Sequence, residues 1–506
     1  MATYFVLICP LFVIVIILLV VAYMMRNNNY WKKRGVSYLN PKPLFGNIFS
    51  IFIWKSSLHQ FLRTIYEENM EPFFGIFFLD QPVLVIKDLT LMKHILVQDF
   101  EFFQNRSMGI NENHDPIGSK IYFFSQMPYW KKTRKEVSSL YTSSKLKTQF
   151  KVLQFNCEQL TDAMKTKITN KGSVFDVKQL TKKYTINVII AAFFGIKADC
   201  FENDQNVFLK VSEGLMNWKA IWHAIQASYM FIMPNYVKSF HISFLDKAST
   251  DFFREFTWEL INIREKCGRK NNDLIDILLE LKHKQNIKNH NTYESDVLAA
   301  HVCQVFAAGY ESSSTTIALS LFELAKNFKC QKLAREEIVA FLEKYGEITY
   351  FNIQYLKYSK NCISETLRKY PTLAFLDRRC TKPYRLPGTN LVLEKGQAVY
   401  FSNWGIHNDP RYYPNPSQFD PDRFTEENIR QRPDFSYLPF GHGPRNCSGQ
   451  RFATLSSVMA LANILYNFEI RIPEGGSDTV KFITKGTLLQ PVNGIHLEFI
   501  QISNNV

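Results

Sequence analysis

Several things are missing from this 506-residue sequence, and each absence narrows the reading. No two cysteines form a C-x-x-C pair. The nine present (Cys9, Cys157, Cys200, Cys267, Cys303, Cys330, Cys362, Cys380 and Cys447) are scattered and odd in number, which speaks against a disulfide framework or a zinc ribbon and for a reducing compartment. No Gly/Ser-rich linker and no internal repeat divides the chain, so one large domain is expected where length alone would suggest two or three. No strand, G-x-G-x-x-G and helix occur together. Gly441 and Gly443 lack a third spaced glycine, so no dinucleotide site is expected on this chain. Basic helices and aromatic-spaced RNA motifs are also missing, which removes nucleic acid despite a formal net charge of +14. The positive excess suits a membrane surface or an acidic protein partner, whose approach it would steer.

Charge is absent from one long stretch as well. Tyr4 to Met25 carries none and is dominated by Val, Ile, Leu and Phe. About 20 such residues in a helix span a hydrocarbon core of about 30 Å. A cleavable leader would show a positive start, a shorter apolar run and a small-residue cleavage site. Arg26, Lys32, Lys33 and Arg34 follow directly. The excess of positive charge after the segment places the bulk of the chain on the cytoplasmic side. The expected organisation is therefore an uncleaved single-pass anchor over 1–25, a basic and proline-containing hinge over 26–45 with Pro41 and Pro43, and one domain over 46–506. In a eukaryotic cell this implies the endoplasmic reticulum membrane.

Near the C-terminus, Phe440-Gly441-His442-Gly443-Pro444-Arg445-Asn446-Cys447-Ser448-Gly449 puts a single thiol at the end of a glycine-punctuated loop. Zinc needs three or four ligands, and no second Cys or His stands beside this thiol. One thiolate suffices for haem iron. The arginine two residues earlier suits a carboxylate of the cofactor. The bland alternative is a buried structural cysteine. The segment resembles the haem-binding loop of the cytochrome P450 family, F-x-x-G-x-R-x-C-x-G, with Phe440, Gly443, Arg445, Cys447 and Gly449 at every fixed position. Ser448 stands where apolar residues are common.

A helical pattern runs from about Glu294 to Asn327. Leu298, Val302, Val305, Gly309, Ser312 and Thr316 recur at spacings of four and three, which predicts one face. Within it, Ala308-Gly309-Tyr310-Glu311-Ser312 resembles the family's distal motif [A/G]-G-x-[E/D]-T, with Ser312 in place of threonine. The resemblance gives Glu311 and Ser312 the catalytic task of relaying protons. On residues alone, Glu311 is equally a solvated helix acid and Ser312 plain packing. Gly309 fits either a cofactor lying against the helix or close helix packing.

Glu365 and Arg368 are three apart on a helix-like stretch and can pair. With Arg423 in Pro421-Asp422-Arg423-Phe424 they resemble the family's E-x-x-R and P-x-R-F structural triad. Trp130 and Arg134 form W-x-x-x-R among Lys131, Lys132 and Lys135, either an ordinary amphipathic helix or, by resemblance, the pair that reaches the haem propionates. Arg378 and Arg445 are the other propionate partners that the resemblance implies. It also implies a lid from about Phe102 to Phe124 and a pocket walled by Phe306, Ala307, Ala308, Leu373, Ala374, Phe375, Thr487 and Leu488. Leu215 to Met233, with Trp218, Trp222, Tyr229, Met230 and Phe231, reads as an access channel, a lipid-dipping segment or core.

These motifs occur in family order across nearly the whole chain. The flavour resembles the insect microsomal, xenobiotic-type branch, on Tyr30-Trp31-Lys32-Lys33-Arg34-Gly35-Val36, Arg379-Cys380-Thr381-Lys382-Pro383-Tyr384 and Leu386-Pro387-Gly388. The implied fold is mostly α with small β-sheets, a helical prism holding haem b between the long helix and the Cys447 loop. The implied activity is monooxygenation of an apolar small molecule. Electrons come from NADPH through NADPH-cytochrome P450 reductase, with cytochrome b5 as a second candidate partner and membrane lipid around the anchor. Two other readings stay open: a haem-thiolate isomerase or dehydratase acting on peroxides, and a non-catalytic membrane haem sensor.

Overall fold

The computed structural model describes residues 2–168, 173–215, 221–234, 237, 242–287 and 293–502. Helices dominate, as the residues dictate. Where an apolar stripe begins, a side-chain cap commonly precedes it. Ser57 and Gln60 form a capping box ahead of Leu58–Glu68, and Asp176 accepts the backbone N–H groups of Lys178 and Gln179 to start Val177–Ile189. Such caps satisfy donors that a helix N-terminus leaves without partners.

The central element is the helix Tyr293–Lys326, whose 34 residues extend about 51 Å at 1.5 Å per residue. It runs through the middle of the molecule, packed against Val177–Ile189, Lys247–Cys267 and Gln450–Asn467. Gly309 marks the closest approach. A Cβ there would lie 2.4 Å from the Ile189 Cδ1 atom. Close helix packing accounts for this glycine directly.

Strands Phe73–Phe78, Gln81–Ile86, Ala398–Phe401 and Leu376–Arg379 form a sheet in that order, with only the middle pair parallel. Residues i and i+2 of a strand share a face, so Leu376 and Arg378 point to one side and Asp377 to the other. A second sheet orders Ser173–Asp176, His496–Gln501 and Phe468–Arg471, all antiparallel. One apolar core fills the helical part, and a smaller one, around Trp31, Phe77, Leu84 and Phe401, lies on the four-stranded sheet.

The segment 26–45, read from sequence as a hinge, lies against that sheet. Trp31 is fully buried and donates from its indole N–H to the Ile76 carbonyl at 3.1 Å. Gly75 leaves room for that ring. Arg26 pairs with the buried carboxylate of Asp80 at 2.6 Å. Burial of the indole and the ion pair fix the chain to the domain immediately after residue 25. Ala2–Met25 itself is one helix of 24 residues. Its side chains are described only from Phe12 onward, and among the described residues no helix is long and apolar enough to cross a membrane.

Candidate active site

The Cys447 loop is held by its own backbone. The Cys447 N–H donates to the Phe440 carbonyl at 2.8 Å, and the Asn446 N–H to the Gly443 carbonyl at 3.0 Å. Gly443 has φ +75°, and a Cβ there would strike the Leu96 carbonyl oxygen at 2.0 Å, so only glycine closes this turn. Arg134 grips the loop from outside, donating to the backbone oxygen and the Oδ1 of Asn446, both at 2.7 Å.

The loop borders an interior cavity of about 310 Å³. Cys447 is exposed, but onto this cavity, with protein on all other sides. Burial therefore pushes its thiol up. The backbone N–H groups of Gly449 and Gln450, at the start of the helix Gln450–Asn467, and the Arg134 charge pull it back. On the long helix, Val305, Ala308, Gly309, Ser312 and Thr316 line the same cavity. Ala308 is exposed there in the middle of an otherwise buried helix.

The expected residues divide. Trp130, Ala307, Ala308, Ser312, Leu373, Phe440, Arg445, Cys447, Thr487 and Leu488 all line the cavity, and so do Ile121 to Phe124 of the expected lid. Three of the expected wall residues do not. Phe306 lies about 100° around the helix from Val305. It packs on Phe208, Phe253 and Tyr310 at centroid distances of 6.3, 6.0 and 5.1 Å. Ala374 is buried with Trp404 and Leu489. Phe375 packs on His59 and Phe231 and borders a separate crevice of about 20 Å³. Met230 and Phe231 reach the cavity wall, whereas Trp222 is 61% exposed on the surface. Trp218 lies outside the described residues.

Glu311 is also off the wall. It is 4% exposed, and its Oε1 accepts from Lys178 Nζ at 2.9 Å, Gln490 Nε2 at 2.8 Å and Thr315 Oγ1 at 3.2 Å. Consecutive helical residues diverge by about 100°, so Ser312 faces the cavity while its neighbour faces a lysine. The Ser312 hydroxyl donates to the Ala308 carbonyl at 2.8 Å. The acid and hydroxyl expected to act together are thus not brought together on the cavity.

Arg378 is buried behind the wall, next to Arg445 and Arg106. Arg445 donates to the carbonyls of Gln104 at 2.6 Å and Ser125 at 2.9 Å, and its guanidinium lies 4.4 Å from the Trp130 ring centroid. Arg106 pairs with Asp377 at 2.9 Å. Among the described residues the Arg378 Nε has no hydrogen-bond partner. Burial, then repulsion from Arg106, pushes Arg378 down to about 9. Burial and both neighbouring arginines push Arg445 down to about 8. A guanidinium resists losing its proton, so this stress calls for anions. Three cations against the single carboxylate Asp377 leave a local excess of two. The two propionates of haem b match that excess, and the cavity-facing thiol matches its iron, so the residues present fit the group.

Glu365 and Arg368, both fully buried, make a bidentate pair at 2.7 and 2.8 Å. Arg423 Nε approaches Glu365 Oε1 at 3.5 Å. Arg368 also donates to the carbonyls of His407 and Pro416, each at 2.8 Å, and Arg423 to that of Pro414 at 2.6 Å.

Sequence reasoning missed Arg106, Asp377, Tyr122 and Gln304. Arg106 and Tyr122 sit in irregular chain with no periodic pattern to mark a facing side. Gln304 had a signal, an amide one residue before Val305 on the stripe that lines the cavity. The Tyr122 hydroxyl lies 2.7 Å from the Ser448 hydroxyl, giving that unusual serine a partner beside the thiol.

The cavity, its thiol and its arginines fit a haem group, and comparison with known sequences shows the family. The sequence model of cytochrome P450 matches residues 36–499. The chain is 33% identical over 495 residues to cytochrome P450 6k1 of Blattella germanica, covering 94% of both chains. It is 34% identical over 485 residues to cytochrome P450 9e2 of the same organism, covering 90% of this chain and 91% of the other. This chain belongs to the cytochrome P450 family and is an oxidoreductase of the monooxygenase class.

Proposed function

We propose that the chain is a haem-dependent monooxygenase that inserts one oxygen atom of O₂ into an apolar small molecule. Electrons come from NADPH through a separate NADPH-cytochrome P450 reductase, with cytochrome b5 as an additional donor. The observation that carries this reading is the pairing, beside one cavity, of a lone exposed thiol with a buried arginine cluster holding two positive charges in excess. Haem, when bound, supplies the activation of dioxygen and the transfer of one oxygen atom to the substrate.

The chain's residues do the rest. Cys447 gives its sulfur to the iron, and the N–H groups of Gly449 and Gln450 stabilise the thiolate. Arg445, Arg378 and Arg106 neutralise the propionates, with Trp130 stacked on Arg445. Arg134 keeps Asn446, and so the loop, in place. Glu365, Arg368 and Arg423 hold the chain that leads to the loop. Ser312 keeps a hydroxyl proton on the cavity wall. Glu311 passes a proton toward it only after leaving Lys178. The aromatic and aliphatic wall excludes water and favours apolar ligands.

The 24-residue helix Ala2–Met25 is proposed as a single-pass anchor in the endoplasmic reticulum membrane, with residues 46–506 forming the catalytic domain on the cytoplasmic face. Its described part supports this: Phe12, Leu18 and Leu19 are 61–64% exposed. Lys131, Lys132 and Lys135 are exposed on the helix Tyr129–Ser138 and suit an acidic reductase surface.

The test is the absorption spectrum of the dithionite-reduced, carbon monoxide-bound protein. The long-wavelength thiolate Soret band is expected in the native chain and is lost in Cys447→Ala. Retention of the band in that variant overturns the assignment. Because Glu311 is tied to Lys178, a peroxide isomerase that uses no reductase is the second reading. Turnover of a peroxide substrate without reductase or NADPH would select it.

A further inference from the structure

A directional hydrogen-bond chain crosses the wall of the cavity. The Tyr122 backbone N–H donates to Gln304 Oε1 at 2.9 Å. A backbone N–H can only donate, so this contact fixes which end of the amide faces the loop. Gln304 Nε2 then faces His301 Nδ1 at 3.2 Å. An amide nitrogen only donates, so Nδ1 accepts and the imidazole proton sits on Nε2. That atom lies 3.2 Å from Glu136 Oε2. Both ends of the Gln304 amide therefore meet a matching partner, whereas the His301–Glu136 approach falls outside hydrogen-bond geometry. His301 and Gln304, three residues apart, share one face of the long helix and are 2% and 4% exposed.

Gln304 is itself a wall residue of the cavity. Its amide nitrogen carries two hydrogens, of which His301 takes one. We propose that Gln304 is a specificity-determining residue that presents the second N–H to the ligand, and that His301, through its Nδ1, is the positioning residue that fixes its direction. The ligand selected is an apolar molecule bearing a ketone, ester or ether oxygen, in preference to the hydrocarbon of the same shape. A turned amide would set its donor against the Tyr122 N–H, so the His301 acceptor holds one orientation. This deepens the proposed function and rests on the cavity being the substrate site.

The test is calorimetric titration of the full-length, haem-loaded enzyme in detergent with 4-phenylcyclohexanone and with phenylcyclohexane. The native enzyme is expected to prefer the ketone, and that preference to fall about fivefold in Gln304→Leu, the scale of one hydrogen bond. His301→Phe should lower it similarly. His301→Gln, which restores an acceptor toward Gln304, should recover it; a merely structural histidine predicts no such recovery. Gln304→Glu keeps the acceptor for Tyr122 but removes the donor, and serves if the leucine variant does not fold. No ketone preference in the native enzyme, or an unchanged preference in either Gln304 variant, overturns the proposal. The carbon monoxide spectrum of the same preparations reports separately on the haem-thiolate reading.

Discussion

Two buried charge clusters flank the site, and they are opposites. Around Glu365, Arg368 and Arg423 face two carboxylates, Glu365 and Asp420, and although Arg423 Nε makes no hydrogen bond among the described residues, both guanidinium groups donate to backbone carbonyls of 407, 414–416 and 418. Around Asp377, three arginines meet one carboxylate, one Nε has no hydrogen-bond partner among the described residues, and two of the arginines are pushed down to about 9 and 8. Burying an ion pair costs desolvation that only good geometry and added hydrogen bonds offset. The first cluster meets that condition within the chain. The second meets it only when anions arrive. A charge-balanced network reads as scaffold, and one left with excess charge reads as a binding site.

The comparison can be broken at three points. Glu365→Ala leaves Arg368 buried without its carboxylate, which costs about 3–5 kcal/mol. It should lower the thermal midpoint sharply and leave little holoprotein; a normal midpoint and full haem content would remove the scaffold role. Arg378→Leu should do the reverse to the haem-free chain, leaving its midpoint unchanged or raised, because a repelled cation is gone. The same variant should lose haem about tenfold faster to an acceptor globin, the scale of one charge-assisted hydrogen bond. Equal haem loss in variant and native protein would show that the cluster does not await anions.

The smallest effect concerns acid. His407 borders the Glu365 network, accepting the Leu438 N–H at 2.7 Å, and burial then the Arg368 charge push it down to about 3. Buried His59 is pushed down to about 4. The unfolded chain takes up these protons near pH 6.5 and the folded chain does not. Stability is therefore full above about pH 6.5 and falls below it, by up to about 1.4 kcal/mol per pH unit for each group. Thermal midpoints between pH 7.5 and 5 check this, and His407→Gln should flatten the slope.

Much of this was legible in the sequence where chemistry and spacing coincide. Cys447, Arg445 and Phe440 lie within eight residues, and the loop they share brings them to the cavity together. Of the stripe Leu298, Val302, Val305, Gly309, Ser312 and Thr316, read as one helix face, the last four line the cavity while Leu298 and Val302 sit in the core. Phe306, assigned to the wall by resemblance, sits one step outside that stripe and packs where the periodicity sends it. Glu311 turns away from the cavity for the same angular reason, with Lys178 waiting on the other side from a helix far away in sequence. Arg106 and Tyr122 were illegible because loops carry no period. The excess charge was illegible because it needs the neighbours of Arg378 in space, which the bridge between Asn105 and Arg379 and the packing of the Cys447 loop supply.

The notch at Gly309 carries a final consequence. The side chain of Ile189 occupies the volume that any Cβ at position 309 would take. The dependence runs one way: enlarging 309 demands that Ile189 shift or shorten, whereas 189 can shorten alone. Sequences descended from this one are expected to gain a side chain at 309 only where 189 has been trimmed or has swung aside.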